Sequence, residues 1–169
     1  NHTKQQLLDT PSGAIYHSQR DPNRLWVGTQ FEGLISLYFN TKTSQWKVEK
    51  RVKNIKGDPR SIVEDEEGTL WLGTLLNGAI KIEFPTDIYH PMVTEYSKVH
   101  GLPKANICGI FKAVGHLMFA TENGIFRFDK THNRFVPDRT LGDEFADGEK
   151  PVYSIVEDKN KHIWLNSTD

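Results

Sequence analysis

Residues 61–84 decide the fold: Ser61-Ile62-Val63-Glu64-Asp65-Glu66-Glu67-Gly68-Thr69-Leu70-Trp71-Leu72-Gly73-Thr74-Leu75-Leu76-Asn77-Gly78-Ala79-Ile80-Lys81-Ile82-Glu83-Phe84. Thr69–Thr74 and Ala79–Phe84 are short and rich in β-favouring residues, so they read as strands. Asp65-Glu66-Glu67-Gly68 reads as a turn, and Asn77-Gly78 supplies residues that accept positive φ at little cost. Trp71 and Leu72 are adjacent, so on a strand they point to opposite faces. Both are apolar, which predicts a sheet covered on both sides. No useful length of chain spaces its apolar residues by three and four, so helices are not expected.

The same pattern recurs along the chain. Leu70-Trp71-Leu72-Gly73-Thr74 has counterparts in Leu25-Trp26-Val27-Gly28-Thr29, Leu117-Met118-Phe119-Ala120-Thr121 and Ile163-Trp164-Leu165-Asn166-Ser167. The anchors Trp26, Trp71, Met118 and Trp164 are 45, 47 and 46 residues apart. Ser61-Ile62-Val63-Glu64-Asp65 recurs as Ser154-Ile155-Val156-Glu157-Asp158, and Glu32-Gly33, Asn77-Gly78 and Asn123-Gly124 follow the anchor in three copies. In the second copy the strands are predicted near 60–64, 69–74, 79–84 and 92–97. The first strand of the first copy is predicted at Ala14–Gln19. Four short antiparallel strands in a unit of about 46 residues is the pattern of a β-propeller blade.

The fold class is therefore all-β, as propeller blades in an incomplete ring. The blades are expected at 11–52, 53–100 and 101–140, with a half blade at 150–169. The outer strand of a preceding blade is expected within 1–10, because Asn1–Leu7 resembles the links at Asn40–Trp46 and Asp129–Phe135. The chain thus reads as a piece of a longer propeller; a closed ring of four blades is the competing reading. In either case the expected neighbours are further blades or a second chain meeting it edge to edge.

Composition narrows function by exclusion. Lys plus Arg is 21 and Asp plus Glu is 22, a net charge of -1. A nucleic-acid partner is not expected from that balance. No apolar run approaches a membrane span, so direct membrane insertion is not expected either. The one cysteine, Cys108, reads as a small buried residue. No phosphate loop or nucleophile elbow is present, and the seven histidines lack metal-ligand spacing. No catalytic residue, metal ligand or cofactor is assigned. Glu64-Asp65 and Glu157-Asp158 recur at one repeat position before a turn, which predicts a scaffold role in which the Asp bonds turn N–H groups.

The run Ser-Ile-Val-Glu-Asp, then Gly-Thr-Leu-Trp-Leu-Gly-Thr, then Asn-Gly resembles the two-component regulator propeller repeat. The resemblance is closest at Ser61–Phe84 and weakest at Asn106–Asp129, where Met118 replaces Trp and Ala120 replaces Gly. It implies the periplasmic, extracytoplasmic part of a membrane-anchored bacterial hybrid sensor histidine kinase, a non-catalytic signal-input region that responds to saccharides. The competing functions are a secreted propeller lyase of the streptogramin-cleaving type and a structural surface-protein propeller. A ligand, an oligosaccharide or another small molecule, is expected at the loops of one propeller face. Those loops carry Gln30, Phe31, Glu32, Leu75, Leu76, Asn77, Glu122 and Asn123 after the second strands, and Arg60, Asn106 and Tyr153 where first strands begin. Phe31 and Leu75–Leu76 are apolar where a plain turn would be polar.

Overall fold

The computed structural model describes residues 5–103 and 107–168. Among them fourteen strands form four antiparallel sheets. The first sheet is β1 (Ser12–His17), β2 (Arg24–Thr29), β3 (Gly33–Asn40) and β4 (Gln45–Val52), in that order. The second is β5 (Pro59–Glu64), β6 (Leu70–Thr74), β7 (Ala79–Glu83) and β8 (Met92–Tyr96). The third is β9 (Ile107–Ala113), β10 (His116–Thr121), β11 (Gly124–Asp129) and β12 (Arg134–Pro137). A two-stranded sheet, β13 (Val152–Glu157) and β14 (Ile163–Ser167), follows. The strands of the second sheet fall within one residue of the predicted limits. β1 begins two residues before its predicted start and ends at His17, because Ser18 N–H already closes the turn onto Arg24 O.

Each sheet is a blade, and the blades stack by their faces. The first strands β1, β5, β9 and β13 lie side by side, so each is the innermost strand of its sheet. Successive residues of one strand enter different seams. Trp71 joins a cluster with Ile110, Phe119, Phe126 and Phe135 of the third sheet, whereas Leu72 joins one with Trp26, Leu34 and Val52 of the first. The seam between the third and fourth sheets holds Met118, Ala120 and Ile125 against Val152 and Ile155. Adjacent apolar residues are thus both buried because each face of the sheet meets a neighbour. Gly28 permits close approach of blades: a Cβ there would run into the side chain of Pro59.

The ring reading is corrected, whereas the strand expected within 1–10 stays untested. Residues 5–11 form no strand here, and residues 1–4 lie outside those described. An outer strand needs the third strand of its own blade as a partner, and the described chain has none before it. Leu7 and Leu8 instead pack on Val27, Ile35 and Leu37 of the first sheet. The sheets also do not close into a ring, so the four-blade ring is not what the chain forms. The faces that would meet are open: Ile15 on β1 is 67% exposed, and Val156 and Trp164 on the last sheet are 56% and 64% exposed. Trp164 therefore occupies the anchor position without a buried environment. The expectation for Cys108 falls on a side chain outside those described.

Candidate functional site

The turns after the second strands share one construction. Thr29, Thr74 and Thr121 end β2, β6 and β10, and all three are buried. Each hydroxyl donates to the carbonyl of the turn glycine, Gly33, Gly78 or Gly124, at 2.9 Å. Each also accepts an N–H from within the turn, from Glu32, Asn77 or Asn123, at 3.0 Å. The three glycines have φ of +77, +76 and +97, so the backbone there is left-handed. Thr and Gly fix the turn, and the side chains of Phe31, Leu75 and Leu76 between them point to solvent.

Those residues stand at one end of the sheets. First strands begin at that same end, as the pairings Ser12 with Thr29, Pro59 with Thr74 and Val152 with Ser167 show. Phe31 is 75% exposed, and Leu75, Leu76 and Tyr153 are also exposed. Gln30 is exposed beside Phe31. Glu32 pairs with Arg51 at 2.7 Å, and Arg60 pairs with Asp58 at 2.7 Å. Asn77 is half-buried in its turn, while Asn123 donates to Gly148 O at 3.0 Å. Glu122 is exposed and has a polar partner. Asn106 lies outside the described residues. The structure brings these residues to a common end, without a concave pocket of their own among the cavities described next.

Two grooves open at the opposite end, between blades. One, of about 280 Å³, lies between the second and third blades over Trp71, Phe119 and Phe128. Its rim carries Glu66 and Glu67 on one side and Lys112 and Lys130 on the other. The other, of about 450 Å³, lies between the first two blades over Trp26 and Phe84. Their walls are the turns between first and second strands. Asp65 Oδ1 accepts the N–H groups of Glu67 and Thr69, and its Oδ2 accepts Trp71 Nε1–H at 3.3 Å. Asp158 repeats all of this with Asn160, His162 and Trp164. Its carboxyl sits below the usual range: desolvation opposes its charge, but the donated N–H groups outweigh that.

The residue before that turn reaches the preceding blade, a role the sequence did not reveal. Glu64 is buried and accepts Ser18 Oγ–H at 2.9 Å and Gln19 N–H at 2.8 Å. Lys112 holds the same register position and pairs with Glu66, while Glu157 accepts Val114 N–H at 2.7 Å. The signal was present as a charged residue at that register in three of the four copies, with His17 in the first; the partner was hidden because it lies 43 to 46 residues away. Ser18 stands where Asp65 and Asp158 stand, and Trp26 Nε1 has no hydrogen-bond partner among the described residues. His116 Nε2 lies 2.6 Å from buried Asp138, which also receives the Thr140 N–H and hydroxyl. Among the described residues no group of three or more His, Cys, Asp or Glu is arranged to hold a metal ion.

Residues 56–75 match the family described as two component regulator propeller. The matched residues are those with the Ser-Ile-Val-Glu-Asp and Leu-Trp-Leu-Gly-Thr runs. No curated protein matches the chain. Two solved structures from B. thetaiotaomicron share the fold. The extracellular domain of a proposed one component system superposes with a TM-score of 0.68 at 20% identity, over 98% of this chain and 21% of that one. The extracellular domain of a proposed hybrid two component system gives 0.60 at 19% identity, over 91% and 20%. The chain thus spans about a fifth of the length of these structures. No helix among the described residues is long and apolar enough to cross a membrane.

Proposed function

We propose that the chain is part of the extracytoplasmic propeller of a membrane-anchored bacterial two-component sensor, and that it is a non-catalytic, ligand-receiving part. The family match at 56–75 and the extracellular neighbours support the setting. One observation carries the ligand site. Thr and Gly alone build the turns after the second strands, yet Phe31, Leu75 and Leu76 between them are apolar and exposed. Side chains with no scaffold duty and an apolar surface at one end of the blades suit a contact surface. Arg60, Glu122, Asn123 and Tyr153 would supply its polar contacts. The ligand class, an oligosaccharide, rests on the family resemblance, as do the periplasmic location and the downstream histidine kinase.

The test is a glycan-binding screen on the complete propeller, with Phe31→Ser and Leu76→Ser as companion variants. Binding lost in both variants, with the melting temperature unchanged, supports the reading. Binding that survives both, or that disappears with Glu64→Gln and Asp65→Asn at unchanged stability, moves the site to the opposite end. A parent gene that encodes a secretion signal and stops shortly after the propeller would overturn the sensor assignment.

A further inference from the structure

The outer edge of the first blade carries a charge distribution that the net charge of -1 conceals. From Lys47 to Lys56 there are five cations, Lys47, Lys50, Arg51, Lys53 and Lys56, and one acid, Glu49. Glu49 is turned inward, to Arg24 at 3.1 Å and Ser36 at 2.8 Å. Arg51 pairs with Glu32, and Lys56 with Glu95. Lys47, Lys50 and Lys53 have no carboxylate partner among the described residues. Lys50 Nζ meets only the carbonyl of Tyr89, at 3.1 Å, and its ring, at 5.8 Å. These leave its charge uncompensated.

The strand also aims the charges. Lys47 and Lys50 are three residues apart and on a regular strand would face opposite ways. An irregularity in the pairing of β3 with β4 changes this. Tyr38 pairs with Lys47, Ser36 with Lys50 and Leu34 with Val52, so all three β4 residues share the face turned to the second blade. A groove of about 530 Å³ runs there, between β4 and the start of β8. Lys50, Arg51 and Lys53 line it with Val52, Pro91 and Val93, and no carboxylate does. Lysines that merely guard an exposed strand edge need no groove and no bulge to bring them onto one face.

We infer that this rim groove binds a linear polyanion. Lys47 lies outside the groove's lining but on the same face of β4 as Lys50, and at a rise of about 3.3 Å per residue the span from Lys47 to groove-lining Lys53 is roughly 20 Å. That is too long for one small anion and suits a chain with regularly spaced negative groups. Lysines act as point charges, so the site reads charge spacing rather than the geometry of one group. It adjoins the turn end proposed above for the ligand, through the Arg51–Glu32 pair, but Lys47, Lys50 and Lys53 are not among the contacts proposed there, and it is tested without that ligand.

The test measures binding of a fluorescent inorganic polyphosphate to this chain by anisotropy, across a salt series. Dextran sulfate and polyglutamate serve as competitors that separate phosphate, sulfate and carboxylate chemistry. The expected result is saturable binding that weakens with salt. In Lys47→Gln/Lys50→Gln/Lys53→Gln the slope of log K against log salt should fall by about one per lysine removed. Lys42→Gln/Lys98→Gln/Lys159→Gln removes the same charge from other exposed positions and should keep the slope. Equal losses in both triple variants would overturn the site. So would binding to orthophosphate as tight as to the polymer, or binding confined to anionic lipid vesicles. Circular dichroism checks that all variants are folded.

Discussion

Trp71 and Trp164 occupy one repeat position with opposite surroundings. Trp71 is buried, lies 5.3 Å from Phe119 and 4.9 Å from Phe128 between ring centroids, and donates to Asp65. Trp164 keeps the bond to Asp158 but is 64% exposed. Trp71→Ala should therefore cost about 3–5 kcal/mol, the loss typical of a buried aromatic. Trp164→Ala should cost below about 1 kcal/mol. Chemical denaturation reads both, and equal losses would remove the packing argument. Asp138 carries a pH dependence. Burial works against its charge, but the Thr140 hydroxyl, the His116 ring and the Thr140 N–H hold its carboxyl below the usual range. Its folded pKa is thus lower than its unfolded one, near 3.9. The stabilisation is complete above that value and is lost as pH falls through the folded pKa. Asp138→Asn should lose about 1–3 kcal/mol at pH 7. The gap to the parent chain should close below about pH 4, and a gap constant from pH 7 to pH 3 would show the charge is irrelevant.

At the scale of the elements, the turns decide register. Gly78 sits at φ +76 with its α-carbon facing Tyr96 O, so an added Cβ would run into that carbonyl. Gly124 stands in the same relation to Phe145 O. Gly78→Ala must therefore bear both a left-handed conformation and a backbone collision. It should lower stability by more than about 1 kcal/mol. Gly115→Ala, with equally positive φ and open space around it, should cost about that amount from conformation alone. Thermal melts of the pair separate the two terms. These turns show how much the sequence made legible. The repeat, the strands near 60–97 and the turn-capping Asp65 and Asp158 could be read directly, since local propensity and period agree there. The Thr clamp was hidden inside a motif that read simply as strand. The Glu64 and Lys112 links were hidden because their partners belong to other blades. The end proposed for a ligand was legible only as apolar residues in turns, since convergence of loops from different blades is a property of stacking.

At the scale of the whole molecule, stability is a sum of blades and seams. The seam between the second and third blades is the richest in aromatics: Trp71, Tyr96, Phe119, Phe126 and Phe135 are buried in one cluster. The seam between the third and fourth has Met118 at the anchor, with only aliphatic residues fully buried beside it and Phe111 and Phe145 partly buried at its margin. Beyond it, β13 and β14 form a two-stranded sheet with Val156 and Trp164 uncovered on the far face. A two-stranded sheet is marginal alone and depends on what it packs against. This chain should therefore open in order, with β13–β14 first and the second and third blades last. Amide hydrogen exchange tests it. Protection at Val156 and Leu165 should be lower than at Ile80 and Phe119, and Met118→Ala should weaken the former while leaving the latter nearly unchanged. If all four amides exchange together, the seams are not independent and the chain opens as one cooperative unit. In that case the Met118 anchor, despite its smaller packing surface, would bind the last blade as firmly as Trp71 binds the third.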